Sequence, residues 1–145
     1  MIVYRMHRAG LDALDSTGSF LRAGRWHSAG TRVIYAAEHV SLAALETLIH
    51  ASNGRISQRQ LTEILIPDDV AVETTEWREM PDSQRFGDAW VKAARTPVLR
   101  VPSIVVNQLE SNFVVNPKHE VFGRVRRGTS RAFVFDERFF VDRIR

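Results

Sequence analysis

At 145 residues the chain suits one domain, 1-145, and can bury a real core. With 44% hydrophobic and 26% charged residues it has an ordinary soluble composition, and no run of about 18 apolar residues is present to span a membrane. The absence of cysteine excludes disulfides and cysteine zinc sites and fits a reducing cytosol, and the net charge of +3 favours an anionic ligand or acidic partner without singling out nucleic acid.

The opening MIVYRMHRAG has no long apolar segment, so it is not read as a signal peptide. The expected location is cytoplasmic. Met1 to Met6 reads as a short strand carrying Arg5. Ala9 to Gly24 reads mostly as loop, with Asp12, Asp15, Ser16 and Gly18 as turn formers. The chain is organised around the next stretch, RAGRWHSAGTRVIYAAEHVSLAALETLIH, Arg22 to His50. Thr31 to Ala37 reads as a strand with Val33 and Tyr35 on one face. A helix is expected after Ser41, a good N-cap, with Leu42, Leu45, Leu48 and Ile49 as its apolar arc. Glu46 falls at the edge of that arc. A carboxylate there either reaches water at the rim or needs partners, because unpaired burial is expensive.

Asn53-Gly54 marks a break. Leu61 to Ile66 and Val70 to Thr75 read as strands separated by the turn Pro67-Asp68-Asp69, a possible hairpin. Pro81-Asp82 opens a second helix, with Phe86, Trp90, Ala93 and Ala94 at helical spacing and Trp90 assigned to the core. Gly87 weakens that helix by roughly 1 kcal/mol relative to Ala. Pro97 to Val106 reads as a strand whose Pro102 argues for an edge or a bulge. Ser103 is either a plain strand serine or a functional one. Asn107 to Asn116 reads as a loop or short helical turn, and Arg131 to Phe140 as a last strand. Lys118 to Arg145 holds eight Lys/Arg against four Asp/Glu, a solvated or partner-binding face. The five histidines show no HExxH-type spacing, so no metal is expected.

The element pattern gives an α+β fold of six or so short strands and two principal helices, since the helix-poor stretches do not suit a doubly wound sheet. Between Gly24 and Glu46 lie permissive glycines (Gly24, Gly30), a bidentate cation (Arg25), an aromatic (Tyr35) and an inward carboxylate. Taken singly, each has an ordinary structural explanation. Together they suit a ligand with phosphate, a flat ring and ribose hydroxyls.

GRW, a following glycine, VIYAAE and SLAALETLIH resemble the RES domain, the toxin half of RES–Xre toxin–antitoxin systems. Tyr4-Arg5, PSIVV with Ser103, VVNPKHEVF with Asn116 and His119, and RAFVFDERFF extend the resemblance over essentially the whole chain. Two positions depart from the family pattern: His27 stands where Asn usually follows GRW, and Glu120 where Pro usually follows the histidine of NP-x-H. The resemblance implies an ADP-ribosyltransferase-like fold, whose split, bent sheet holds NAD in a central cleft. It implies cleavage of the nicotinamide–ribose bond of NAD as substrate. Arg25, Tyr35, Glu46 and Ser103 are the candidate catalytic residues, and Arg5, Trp26, Asn116 and His119 the candidate NAD-binding ones. Arg25, helped by Arg5, would clamp phosphate. Tyr35 would face the ring, and Glu46 the ribose and its developing positive charge. Ser103 would orient the ribose or the amide. The acceptor is water, inorganic phosphate or a protein. The implied partner is an Xre-type helix-turn-helix antitoxin that blocks the cleft, with a possible dimer in the complex and no direct nucleic-acid binding. A non-enzymatic module with a basic C-terminal face is the remaining alternative.

Overall fold

The computed structural model describes residues 1–51 and 56–140. The Asn53-Gly54 break and the last five residues of the basic tail lie outside the described residues. In chain order the elements are β1 (Ile2–Arg8), α1 (Thr17–Leu21), β2 (Ile34–Ala37), α2 (Val40–His50), β3 (Arg59–Leu65), β4 (Val72–Thr74), α3 (Asp82–Ala93), β5 (Val98–Pro102), β6 (Ser111–Val115) and β7 (Arg126–Phe133). The strands form one seven-stranded sheet in the order β4-β5-β6-β2-β1-β3-β7. Every pairing is antiparallel except β4 with β5. The α+β expectation holds.

Period-two alternation sorts the side chains between the two faces of the sheet. Val3, Ile34, Ala36, Ile64, Phe113 and Val115 belong to a core on one face. The opposite face carries two separate clusters. Trp26, Val33, Trp90, Leu99, Val101 and Val114 pack under α3. Leu42 and Ala43 of α2 pack on Ala37 and Leu61 of the sheet, joined by Tyr4 and Met6. A cleft opens between these two clusters.

The sheet itself is split at the same place. β1 and β2 share one register pair, Tyr4 with Ala37. Arg5, on the Val3 face, fills the gap: its Nη1 donates to the Tyr35 carbonyl at 3.2 Å and its Nη2 to the Asp15 carbonyl at 3.4 Å. A side chain thus supplies the hydrogen bond that the ladder no longer makes. Burial holds the Arg5 guanidinium down at about 10, against attraction from Asp15 and Asp12.

Several expectations change. The strand read over Thr31 to Ala37 begins at Ile34, with Val33 and Tyr35 on one side as expected. Helix α2 begins at Val40, with His39 at the cap position and no side-chain cap, so Ser41 is already helical. The helix is also rotated relative to the expected arc. Leu42 and Ala43 are buried, while Leu45 is 38% and Ile49 66% exposed. The face that meets the sheet therefore runs Leu42–Ala43–Glu46. The five residues of α1 fall inside the stretch read as loop.

β3 and β4 do not form a hairpin. β3 lies between β1 and β7, while β4 pairs with β5 at the far edge. β5 is an interior strand and ends at Pro102, where the missing N–H costs no interior ladder bond. The stretch read as a loop before Asn116 contains the interior strand β6. The last strand is β7, earlier than expected, and Glu137–Phe140 is a 3-10 turn.

Trp90 is fully buried, as expected, and its Nε1 donates to Thr96 Oγ1 at 2.9 Å. Gly87 has a packing role that its helix propensity hides. A Cβ there would lie 1.7 Å from the Trp26 carbonyl oxygen. Gly87→Ala should therefore destabilise the fold by at least about 2 kcal/mol in urea denaturation, although propensity alone predicts a gain of about 1 kcal/mol.

Candidate active site

The cleft has a volume of about 450 Å³, within the usual range for small-molecule sites. Tyr4, Met6 and Arg8 of β1 contribute its floor, with Tyr35 and Ala37 of β2 and Asn112 of β6. Glu46 reaches it from α2, and Gly24, Arg25 and Trp26 border it from the loop before β2. Ser103 and Ile104 close the side next to β5.

Glu46 owes its inward position to the rotation of α2: it lies one turn beyond Leu42 and Ala43, the buried pair. Its carboxylate is not left unpaired. Ser103 Oγ donates to Glu46 Oε2 at 3.2 Å, and Asn112 Nδ2 donates to the same oxygen. Both donors hold Oε2, so Oε1 has no hydrogen-bond partner among the described residues and is available to a ligand. Ser103 is itself fixed by its backbone. Its N–H donates to the Glu110 carbonyl at 3.0 Å, and its carbonyl accepts from Gln108 N at 2.7 Å. The loop that returns to β6 places Asn107 and Gln108 at φ 56° and 64°. Two consecutive non-glycine residues in the left-handed region are a real constraint on this wall of the cleft.

Tyr35 is held by its hydroxyl. Trp26 N–H donates to it at 3.1 Å, and His27 Nδ1 lies 2.7 Å away. His27 Nε2 is 2.8 Å from both the Ser19 and Arg22 carbonyls. Carbonyls only accept, so Nε2 carries a proton, while Nδ1 and the Tyr35 hydroxyl share a hydrogen bond. Burial pushes the Tyr35 phenol well above its ordinary range, against the Trp26 hydrogen bond. Tyr35 therefore stays neutral and offers the cleft its ring. His27 and the Trp26 N–H together fasten it. Gly24 is required by the same contact: a Cβ would lie 2.8 Å from His27 Cε1 and 2.9 Å from the Tyr35 hydroxyl.

The start of α3 secures the glycine loop. Ser83 Oγ donates to the Arg25 carbonyl at 2.6 Å and Gln84 Nε2 to the Gly24 carbonyl at 2.8 Å. The Arg25 guanidinium lies 4.9 Å above the Trp77 ring, a stack that leaves its hydrogen-bonding edge open to an anion. Trp26 is buried against Phe86 and the cluster under α3 while still bordering the cleft.

Arg25, Trp26, Tyr35, Glu46 and Ser103 are thus brought together around one cleft. Arg5, Asn116 and His119 are not. Arg5 braces the split sheet from the opposite face. Asn116 is fully buried after β6, where its Nδ2 donates to the Val91 carbonyl and its Oδ1 accepts from Lys118 N. His119 Nδ1 accepts from Val121 N at 3.2 Å. These two shape the turn that leaves β6: both polar atoms of Asn116, and Nδ1 of His119, are engaged by backbone groups. Asn112 was missed, since its segment reads as a loop; the signal was the Phe113-Val114-Val115 run, whose alternation puts Asn112 on the face of Val114. Among the described residues, the ligand atoms of Glu38, His39 and Glu110 are close enough for a metal ion, but Glu38 already accepts from Ser111 N, and His39 is 3.0 Å from Glu110.

The RES domain family model matches residues 2–136, and the chain belongs to that family. It is 31% identical over 140 residues to the "Prs ADP-ribosylating toxin" of Sphingobium sp., covering 88% of this chain and 86% of the relative. It is 32% identical over 151 residues to the "Toxin Res" of Yersinia enterocolitica, covering 95% of this chain and 99% of the relative. In structure it is similar to a chain of the M. tuberculosis MbcT–MbcA toxin–antitoxin complex, with a TM-score of 0.71 and 19% identity over 91% of this chain and 83% of that one.

His7, whose side chain shares the Arg5 side of the sheet, gives the fold a pH signature. Its Nε2 is 2.7 Å from Thr62 Oγ1, and burial, reinforced by the Arg5 charge, holds its pKa below the ordinary value despite backbone hydrogen bonds. The unfolded chain then binds a proton that the folded chain refuses. Stability should fall as pH drops through the unfolded value of about 6.5 and flatten below the folded one. Urea midpoints measured against pH should show this fall in the parent chain and a shallower one in His7→Gln.

Proposed function

We propose that this chain is the toxin of a toxin–antitoxin pair and that it acts by cleaving the nicotinamide–ribose bond of NAD. The observation that carries the reading is the Glu46 carboxylate, held through one oxygen by Ser103 and Asn112 with the other oxygen available in the cleft.

In the reaction the bond from the ribose carbon to the pyridinium nitrogen breaks, and nicotinamide leaves as a neutral molecule with the bonding electron pair. No strong general acid is needed, in keeping with a cleft whose phenol stays protonated. Positive charge develops on the ribose, opposite Glu46. A carboxylate already oriented by two donors opposes that charge without reorganising. Tyr35 presents its ring to nicotinamide, and Arg25 clamps phosphate oxygens from its seat on Trp77. Ser103 positions Glu46. Water then gives its oxygen to the ribose carbon and releases a proton; inorganic phosphate serves the same role in a phosphorylase.

A second reading keeps the cleft and makes a protein side chain the acceptor. The name of the Sphingobium relative favours it. An NAD-consuming toxin also needs an inhibitor in its own cell. An Xre-type antitoxin covering the cleft supplies one, in keeping with the toxin–antitoxin complex that shares this fold.

The test is incubation of the purified, partner-free chain with NAD, with and without phosphate and with cell lysate as acceptor. Nicotinamide should be released with ADP-ribose, its 1-phosphate or a labelled protein band, which identifies the acceptor. Glu46→Gln and Arg25→Ala should each lower turnover by about 10²-fold or more with an unchanged circular dichroism spectrum. Full turnover by both variants would refute the assignment.

A further inference from the structure

The cleft extends beyond the groups used above. Its far end is lined by Arg8 and Arg59, with Thr47 and His50 from the end of α2 beside them. Arg8 and Arg59 are direct register partners across β1 and β3. Side chains at such positions stand side by side on one face, and like charges there are unfavourable. Neither guanidinium lies within ion-pair distance of a carboxylate among the described residues, whereas Arg78, Arg95, Arg100 and Arg124 each do. Arg59 Nη1 donates to the carbonyl and hydroxyl oxygens of Ser57, which satisfies part of its fork and none of its charge. Burial, and then the neighbouring Arg8 charge, lowers the Arg59 pKa. Two cations held together at the end of a cleft, with no carboxylate at ion-pair distance among the described residues, carry a positive charge that a phosphate would balance.

The position suits the same ligand. Asn112, Ala37 and Tyr4 lie in one row across β6, β2 and β1, and Asn112 carries Glu46. Arg8 is four residues along β1 from Tyr4 on the same face, roughly 13 Å away. An anion bound there is separated from the ribose at Glu46 by several bonds of the same molecule.

Resting on the NAD reading of the cleft, we propose that Arg8 and Arg59 form a second phosphate site at its far end, which binds a phosphate group of the dinucleotide distant from the scissile bond. The group is either the bridging diphosphate or a 2′-phosphate on the adenosine ribose; both present oxygens that a pair of guanidinium forks can grip.

Calorimetric titration with ADP-ribose and with its 2′-phosphate tests this without turnover, because neither ligand carries nicotinamide. Arg8→Gln and Arg59→Gln should each weaken binding about tenfold, with Arg59→Lys recovering part of the loss. Equal loss for both ligands assigns the site to the diphosphate, and loss confined to the second assigns it to the 2′-phosphate. The unliganded Gln variants should melt no lower than the parent, since each removes a like-charge contact. Parent-like affinity for both ligands in both Gln variants would overturn the proposal, as would failure of the parent to bind either ligand. Parallel NAD assays keep the two ideas separate: arginine-dependent binding without NAD cleavage would remove the proposed activity and leave the phosphate site standing.

Discussion

β1 and β2 meet at a single register pair, Tyr4 with Ala37, and the Arg5 guanidinium carries the rest of the junction. A continuous ladder would close the sheet and leave no opening between the two clusters on the cleft face. A gap with no replacement donor would strand the Tyr35 carbonyl, a cost of roughly 1–3 kcal/mol. Arg5 resolves the conflict by reaching across from the opposite face. It takes a buried guanidinium to do so, with one nitrogen, Nε, left without a partner among the described residues. A flexible chain with several donors and a permanent charge suits that task; a lysine at the same place would offer no fork.

The site follows from the split. Tyr35 sits on the strand that diverges, so its ring is free to border a ligand while its hydroxyl is tied to Trp26 and His27. α2 crosses the junction and turns Glu46 inward, where Ser103 and Asn112 arrive from the strands beyond β2. A carboxylate at the edge of an apolar helix face is costly in isolation. Here two donors, one just beyond the end of β5 and one on β6, offset that cost and also select which oxygen remains open. The same two donors therefore both stabilise this carboxylate and fix its orientation in the cleft.

The wall made by α3 shows how closely local and functional constraints meet. Ser83 and Gln84 hold the loop carbonyls of Arg25 and Gly24, and Gly87 admits the Trp26 carbonyl against the helix. A glycine that lowers helix propensity is what lets the arginine loop dock. Leu45 and Ile49, which amphipathic spacing assigns to the core, instead stand on the outer side of α2. The helix trades their burial for the placement of one carboxylate.

Much was determined by the sequence itself. The α+β class, the core position of Trp90, the shared face of Val33 and Tyr35, and the suspicion attached to Glu46 all follow from periodicity and from the cost of burying charge. Those are local physical rules, and local sequence suffices for them. The RES motifs were legible too, because they are contiguous. Tertiary structure alone decided what depends on pairing across the chain. Asn112 became a partner of Glu46 only when β6 lay between β5 and β2. Arg5 and Asn116 left the ligand side because strand alternation and turn hydrogen bonds consumed them, and Arg8 met Arg59 only through the register of β1 with β3. Hydrophobic period fixes which face a residue occupies, but long-range register fixes which residues share that face, and no local pattern encodes it.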